Sequence, residues 1–373
     1  MKLRYLTPFA LVALLCAPWL AVPIAYSAPA SPALLKAKQA AEAKGYVFEN
    51  SRAEIVAKAK KEGRLRVLST QRNLKPVSEA FKKKYPFIDL RAEEIQGTDT
   101  YQRMILEMKS GTARGWDTNY LAADFYDEYL PHQKKFDILG MAQHGVLRIP
   151  PEMIDPVNRN ILAYTTNTQV VAYNKKLISE DKVPSVWDDF LKPEFKGRKF
   201  LVDIRPSEVA ALVPAWGLEK TLQYAKAIAA QNPVWIRGHS RVLAAMVAGE
   251  YPMLLGANLN STKAAMDKDK TGALAYKVVE PIPLRIGDHE AVFDKAASPY
   301  AGLLWLEFVA SPEAQKIIEG DFEGSVFTPG TMAHQITRGK KSSLVAWDYA
   351  PKMQDIQKKV FEAYGFPKAE GQK

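Results

Sequence analysis

The sequence predicts an α/β protein of two lobes, each built on a mainly parallel sheet that is flanked by helices. Strand-like and helix-like segments alternate from Ser51 onward with short links between them, which favours parallel sheets covered by helices. At 373 residues the chain is also long enough to bury two cores. Together these observations predict a doubly wound fold.

Capping residues and periodicity predict the elements of the first half. SRAEIVAKAKKEG reads as a helix, because Ser51 and Glu54 form a capping box and Gly63 stops it. RLRVLS follows as a strand, LKPVSEAFKKKYP as a helix ended by Pro86, and FIDLRAEEI as the next strand. Asp99 is predicted to cap the helix TYQRMILEMKSG, after which DTNYLAA is the third strand.

The second half begins with NRNILAYTTNTQVVAYNKK, which mixes apolar and β-prone residues and where we predict a crossing between lobes. A long helix is predicted around EKTLQYAKAIAAQNP. WIRGHS then leads into the short helix RVLAAMVAG and the strand MLLGANLN. SPYAGLLWLEFVASPEAQKIIEG is predicted to be an amphipathic helix that restarts at its second Ser-Pro.

The amino-terminal residues are typical of export. Residues 1–30 have a basic start, an apolar stretch and then small residues, which predicts a cleavable signal peptide, and residues 31–46 read as an Ala/Lys-rich linker. A lipoprotein cysteine at Cys16 is the less favoured alternative, because Leu15 stands where a small residue is expected. Removing Lys2, Arg4 and Cys16 lowers the formal charge from +10 to +8 and leaves no cysteine.

A cysteine-free exported chain of this size fits the bacterial periplasm, where a large core makes disulfides unnecessary. The net positive charge indicates anionic partners, although the charges are interspersed as on a solvated surface. Because no basic stripe is interleaved with aromatic residues, nucleic acid is not an expected partner. No stretch after the leader approaches the length of a membrane-spanning helix.

Four segments, in order, resemble bacterial extracellular solute-binding proteins, the receptors of ABC importers. VVAYNKKLI is similar to the family's V-x-x-Y-N strand, and VPSVWDDFLKPEFKGR resembles its P-x-S-W-x-D-L-x-x-P-x-[WF]-K-G segment. VLAAMVAGEYPMLLG resembles V-A-x-G-E-x-x-I, and KAASPYAGLLWLEFVASPEAQKII resembles the late P-x-A-A-x-x-F-x-x-F-x-x-S-x-E-x-Q helix. The nearest branch holds ferric-iron, sugar-phosphate and phosphonate receptors.

The resemblance implies a type II periplasmic binding protein fold, in which two lobes joined by hinge strands close over a ligand. It implies a first lobe of residues 47–165 with 281–325 and a second lobe of residues 166–280 with 326–373. It also implies a periplasmic monomer without a cofactor that hands its solute to ABC permease subunits. An exported enzyme is the competing class, but the sequence has no Gly-x-Ser-x-Gly elbow, His-Glu-x-x-His helix or metal-type cysteine spacing.

The candidate ligand-binding residues lie where predicted strands end, since ligands of α/β sheets gather there. Arginine forks bind phosphate or carboxylate, and helix N-termini add N–H groups, so these residues predict a small organic anion: a phosphate ester, a phosphonate or a carboxylate. The predicted set is Ser69, Thr70, Arg72, Thr98, Arg205, Ser207, Arg237, His239, Ser240 and Asn258. Trp235 or Tyr101 is the candidate for an apolar wall.

Ferric iron is the alternative ligand, and the sequence departs from the pattern of the iron receptors. NLNS places Asn260 and Ser261 where their tyrosine pair stands, and LSTQRN in the first turn offers neither phenolate nor imidazole. Because Fe³⁺ needs anionic oxygen ligands, no metal site is predicted.

Each candidate also has a structural interpretation that the sequence leaves open. Arg72 can pair with Glu79 and Arg205 with Asp203 or Glu208, while His239 can be an exposed loop histidine. Ser240 can serve only as a helix N-cap, and Asn258 can bond a hinge backbone.

The segment GDHE at residues 287–290 suggests a metal or acid–base group, but we favour a polar turn, because side chains alternate along a strand. Tyr164 and Thr166 can line the cleft or pack in the hinge.

Overall fold

The computed structural model describes residues 31–71, 73–122, 125–320 and 324–366, and the backbone alone of Ser240. The predicted signal peptide and Arg72 lie outside the described residues. No helix in the described ranges is both long enough and apolar enough to span a bilayer.

Ten strands build the sheet, which contains the predicted strands of both halves. The strands are β1 (Arg64–Ser69), β2 (Asp89–Glu94), β3 (Thr118–Leu121), β4 (Leu162–Asn174), β5 (Leu201–Asp203), β6 (Val234–Ile236), β7 (Met253–Asn258), β8 (Leu274–Lys277), β9 (Ile282–Val292) and β10 (Ser342–Val345).

Helices connect these strands and cover the sheet. The α-helices are α1 (Pro32–Glu42), α2 (Arg52–Glu62), α3 (Leu74–Lys84), α4 (Thr98–Lys109), α5 (Tyr126–Tyr129), α6 (Ile138–Gln143), α7 (Ser207–Ala210), α8 (Val213–Trp216), α9 (Leu218–Ala230), α10 (His239–Val247), α11 (Leu259–Lys268), α12 (Pro299–Val309), α13 (Pro312–Ile318), α14 (Met332–Thr337) and α15 (Met353–Ala363). Short 3₁₀ helices lie at Leu130–His132, Pro151–Met153, Glu180–Lys182, Trp187–Leu191, Pro193–Phe195 and Ala350–Lys352.

The strands run in the order β2-β1-β3-β9-β4-β7-β5-β6, with β10 beside β9 and β8 beside β4. β1 is parallel to β2 and β3 at one end, and β5 is parallel to β6 and β7 at the other. Between these parallel groups, the long strands β4 and β9 pair antiparallel to each other. This arrangement confirms the predicted α/β fold of mainly parallel sheets with hinge strands between them.

The buried apolar side chains form two groups of clusters. The first core comprises buried residues within 34–164 and 291–318, and the second core comprises buried residues within 170–279 and 345–364. In the first core, Phe81 contacts the rings of Trp305 and Phe308, with both centroid distances 5.4 Å. The exact boundaries of the two lobes stay a prediction, and the cores are named below by these residues.

Several helices begin at the capping residues that the sequence indicates, whereas other predicted elements differ from the structure. Ser51 accepts the Glu54 N–H at 3.2 Å and Ser311 caps α13, as the sequence predicts. However, residues 31–46, predicted as a linker, contain α1, because Ser31 caps it and Leu34 and Ala41 are buried in the first core. The helix α12 is buried on nearly all sides and is therefore not amphipathic.

Candidate functional site

The first core contributes polar groups just beyond the carboxyl end of β1. Ser69 is buried and its Oγ lies 3.3 Å from the Tyr164 hydroxyl, so Tyr164 packs beneath this turn. Thr70 is half-buried and donates to Asp288 Oδ1 at 2.8 Å. Thr98 is exposed as the first residue of α4, which begins after Gly97 rather than at Asp99 as predicted.

The Asp288 carboxylate is the shared hydrogen-bond acceptor of the polar groups beside the first core. Its second carboxylate oxygen accepts the Thr165 hydroxyl at 2.6 Å, so two threonines from different segments bind one carboxylate. Tyr101 and Tyr120 lie nearby with ring centroids 5.5 Å apart. Burial raises the pKa of each phenol, and the negative charge of Asp288 raises it further. Both tyrosines are therefore neutral hydrogen-bonding groups at neutral pH.

The predicted polar turn at residues 287–290 is wrong, because these residues lie inside β9. Gly287 pairs with Thr165 of β4, and Glu290 pairs with both Leu162 and Tyr120. Asp288 reaches outward through a positive φ of 47° within the strand. His289 and Glu290 are buried instead, and Glu290 accepts hydrogen bonds from Thr118 and Trp305 at 2.8 Å each.

Beside the second core, Arg205 forms an ion pair with Asp203. Its guanidinium binds Asp203 through both carboxylate oxygens, the shortest contact being 2.6 Å. Asp203 also accepts the backbone N–H of Gly238 at 3.0 Å, directly before α10. Burial opposes ionisation, but these donors keep the pKa of Asp203 below its usual value. The structure thus has the internal ion pair that the sequence left open for Arg205.

His239 lies in a buried polar cluster rather than in an exposed loop. It is 6% exposed, and its Nε2 lies 3.5 Å from Asp203 Oδ2 and 3.7 Å from Glu208 Oε1. Its Nδ1 accepts the Asn258 N–H at 3.4 Å, so a neutral ring carries its proton on Nε2. Burial lowers the pKa of His239, although the negative charge of Asp203 acts in the opposite direction. The neutral ring lies where the ends of β5, β6 and β7 meet.

The remaining candidates of the second core surround this cluster. Asn258 is half-buried at the end of β7, and its side-chain amide lies 2.6 Å from the side-chain amide of Gln169 in β4. Ser207 is half-buried at the start of α7, and Arg237 is exposed between β6 and α10. Gly238, with φ 85°, precedes α10 as its N-cap, so the N-cap role that the sequence left open as the structural alternative for Ser240 does not apply.

The hinge strand β9 carries a cation that the sequence analysis missed. Arg285 is exposed on β9, where it pairs with Asn167 of β4 and with Val345 of β10. Among the described residues, neither Arg285 nor Arg237 forms an ion pair within 4 Å. No motif pointed to Arg285; its signal was a charged residue amid the apolar run IPLRIG.

The two polar groups are joined by one strand, which sets the distance between them. Thr165 binds Asp288 on the side of the first core, and Gln169 binds Asn258 on the side of the second core. Four residues of extended strand separate them by roughly 13 Å. We call the group around Asp288 the first polar rim and the group around His239 and Asn258 the second polar rim, since small solutes of α/β proteins bind at strand ends of this kind.

The described residues offer few conventional metal ligands in one place. In residues 31–71, 73–122, 125–320 and 324–366, no group of three or more His, Cys, Asp or Glu side chains is arranged to hold a metal ion. Asn260 and Ser261 begin α11, and Asn260 Oδ1 accepts the Ser261 N–H at 2.7 Å. Trp235, a predicted cleft wall, instead packs against Tyr364 at 4.8 Å in the second core.

Three solved structures with the same fold each have a low sequence identity to this chain. The ferric iron-binding protein A of Mannheimia haemolytica, in an open conformation, is 18% identical, with TM-score 0.63 over 81% of this chain and 98% of that one. A Trichodesmium protein in complex with iron and citrate is 17% identical, with TM-score 0.61 over 82% and 100%. The substrate-binding protein of an ABC transporter from Agrobacterium tumefaciens is 17% identical, with TM-score 0.56 over 81% and 95%.

No curated protein sequence matches the chain. A family model described as bacterial extracellular solute-binding protein matches residues 125–352, which is more than half of the 373 residues. The match confirms the predicted resemblance, and the family and the structural neighbours are binding proteins rather than enzymes. The chain belongs to the bacterial extracellular solute-binding protein family, whose members serve ABC transporters.

Proposed function

We propose that this protein is the periplasmic solute-binding component of an ABC importer and that its solute is a small organic anion. The anion, a phosphate ester, a phosphonate or a carboxylate, occupies the space between the two polar rims. The protein then delivers it to membrane permease subunits. The observation that carries the proposal is Arg285, an exposed cation on the hinge strand β9, where its backbone partners are Asn167 of β4 and Val345 of β10.

The electrostatics of the second rim support an anion. Arg205 is neutralised by Asp203, whereas the exposed Arg237 and Arg285 form no ion pair within 4 Å among the described residues. Arg237 lies in the turn before α10, a nine-residue helix whose amino-terminal N–H groups favour negative charge. Neutral polar groups at the first rim suit the polar remainder of a solute, because the Tyr101 hydroxyl can donate and Thr70 Oγ1, whose proton goes to Asp288, can accept.

Ferric iron is the second candidate, and one observation favours it. Tyr101, Tyr120 and Asp288 gather three oxygen groups at the first rim, and oxygen ligands are those that Fe³⁺ prefers. The solved ferric-binding proteins named above have the same fold. The raised pKa of both phenols opposes this candidate, because iron would bind them as phenolates.

The first experiment identifies what the purified protein holds. Native mass spectrometry and iron analysis of the protein as isolated are followed by a thermal-shift screen of phosphate esters, phosphonates, carboxylates and Fe³⁺. An anion that raises Tm supports the proposal, because a ligand that binds only the folded state stabilises it. Stoichiometric iron in a coloured protein, with no response to any metal-free anion, would replace it with the ferric candidate.

Matched variants then test the proposed contacts. Arg237→Ala and Arg285→Ala each remove a charge-assisted contact and are expected to weaken binding by about 2 kcal/mol, close to thirtyfold. Arg338→Ala removes an exposed arginine from the end of α14 and serves as the control, with unchanged affinity expected. Tyr120→Phe is expected to leave anion binding within a few-fold, whereas it should abolish iron binding if iron is the solute. Equal affinities of all four variants would overturn the site.

A further inference from the structure

A second cationic site lies in the first core, on the sheet face that α4 covers in part. Two adjoining cavities of about 350 Å³ and 430 Å³ share Arg66, Arg114, Gly115 and Trp116. None of the candidate cleft residues lines either cavity. We call the two cavities together the basic groove.

Six cationic side chains line the basic groove, against three acidic ones. The cations are Arg64, Arg66, Arg91, Arg103, Arg114 and Lys295, and the acids are Glu93, Glu107 and Asp117. Asp117 is already occupied, because its carboxylate accepts the backbone N–H groups of Arg66 at 2.9 Å and of Ser298 at 2.8 Å. The groove therefore carries a net positive charge that the protein itself does not compensate.

Three of these guanidiniums are available to a ligand. Arg66 is held by Asp89 at 3.4 Å, and Arg103 lies 3.7 Å from Glu107. In the part of the chain that the structure describes, Arg64, Arg91 and Arg114 form no ion pair within 4 Å, and all three are exposed. Free guanidinium forks match the oxygen geometry of phosphate.

Trp116 provides an independent sign that an acceptor is missing. Its indole Nε1 is buried, yet within the described residues it has no hydrogen-bond partner. An indole N–H can only donate, and a buried donor without an acceptor is unfavourable. Trp116 lines both cavities, so a rotation of its ring would bring this donor to an acceptor oxygen held between the guanidiniums.

The basic groove is separate from the cleft. Arg64 and Arg66 alternate along β1 with Leu65 and Val67, which are buried in the first core, so the arginines face the opposite side of the sheet. Ser69 ends β1 three residues after Arg66, roughly 10 Å further along the strand. A ligand in the groove therefore does not compete with a solute in the cleft.

We propose that the basic groove binds a second ligand that carries two or more phosphate groups. From Arg64 to Leu68 the groove follows roughly 13 Å of strand, which is long enough to hold successive phosphates but not a folded partner. Such phosphates belong either to a free oligophosphate or to the headgroups of an anionic membrane. Binding there would hold this exported protein beside its phosphate source independently of cleft occupancy.

Calorimetry with inorganic tripolyphosphate tests the groove, at about 150 mM salt so that long-range attraction is screened. Wild-type protein should bind at one site, and Arg114→Ala and Arg91→Ala should each weaken binding at least tenfold. Arg338→Ala, which removes the same charge elsewhere, should change it less than twofold. Loss of binding in all three variants, or no binding by wild type to tripolyphosphate or to vesicles, overturns the proposal.

Two further measurements complete the test. Flotation with phosphatidylglycerol vesicles, with phosphatidylcholine vesicles as the control, distinguishes the two sources of phosphate. Co-flotation that Arg114→Ala abolishes indicates membrane headgroups. Tripolyphosphate binding without co-flotation indicates a free oligophosphate. The indole ¹⁵N–¹H resonance that Trp116→Phe removes should shift when tripolyphosphate binds. A resonance that stays in place while tripolyphosphate binds would locate the binding elsewhere and overturn the groove.

Discussion

Glu208 is expected to make the protein less stable as the pH rises from about 4.5 to about 7, with no further loss from this group at higher pH. Its carboxyl is 7% exposed beside His239, and burial raises its pKa from 4.5 to about 7. Between these two values the folded protein holds a proton that the unfolded chain has released, so stability falls as pH increases. At about 1.4 kcal/mol per pH unit, the loss amounts to roughly 3 kcal/mol once the pH is above 7.

Glu208→Gln should remove this loss, because the amide resembles the protonated acid at every pH. Urea unfolding of both proteins is measured from about pH 5 to about pH 8.5. We expect a small difference in unfolding free energy near pH 5 and an advantage of up to about 3 kcal/mol for the variant at the high end. Glu290, whose pKa burial also raises to about 7, acts in both proteins and cancels in the difference.

Glu362→Gln, on the exposed face of α15, is the control and should leave the pH dependence as it is in the wild type. A difference between wild type and Glu208→Gln that is constant across the whole range would refute the reasoning. In that case the carboxyl of Glu208 ionises as readily in the folded protein as in the unfolded one.

Three further changes have expected outcomes. Gly256→Ala would place a Cβ 2.6 Å from Glu208 Cβ at a φ of +71°. It should therefore lower the unfolding free energy, measured in urea, by at least about 2 kcal/mol. The loss should exceed that of Gly249→Ala, because Gly249 shares the positive φ but an added Cβ there meets no atom within 4 Å. Ser51→Ala removes the N-cap bond of α2 and should lower stability by about 1 kcal/mol in the same assay. Asp288→Asn removes a negative charge beside the proposed anion and should tighten its binding by roughly two- to fivefold in calorimetry, whereas weaker binding would contradict that placement.

Sequence reasoning predicted the fold because its local signals are strong. Capping serines at Ser51 and Ser311 and the strand RLRVLS are read from a few neighbouring residues. Two helices start earlier than predicted, because Gly97 turns the chain with positive φ before Asp99, which we took as a cap, and Gly238 does so before Ser240, for which a cap role was left open. A glycine at such a turn competes with Asp or Ser as the first residue, and only the backbone geometry decides between them.

The candidate site was predicted less completely, because contacts between distant segments decide it. Ser69, Thr70, Arg237 and Asn258 do lie at strand ends, where the alternation of elements predicts them. The sequence left open whether Asp203 binds Arg205, and it gave no sign that Asp288 would bind Thr70, 218 residues away. The contacts of Asp288 with distant segments depend on the register of β4 and β9, which periodicity does not specify.

The path of β4 and β9 between the two cores has a consequence for the order of folding. The first core includes both Leu34 and Ile318, and the second includes both Val171 and Tyr364, so neither is complete until late segments are present. Contacts this far apart in sequence slow folding, because long loops must close first. An emerging chain therefore cannot complete either core until most of its synthesis is over, so both halves fold together late rather than one after the other.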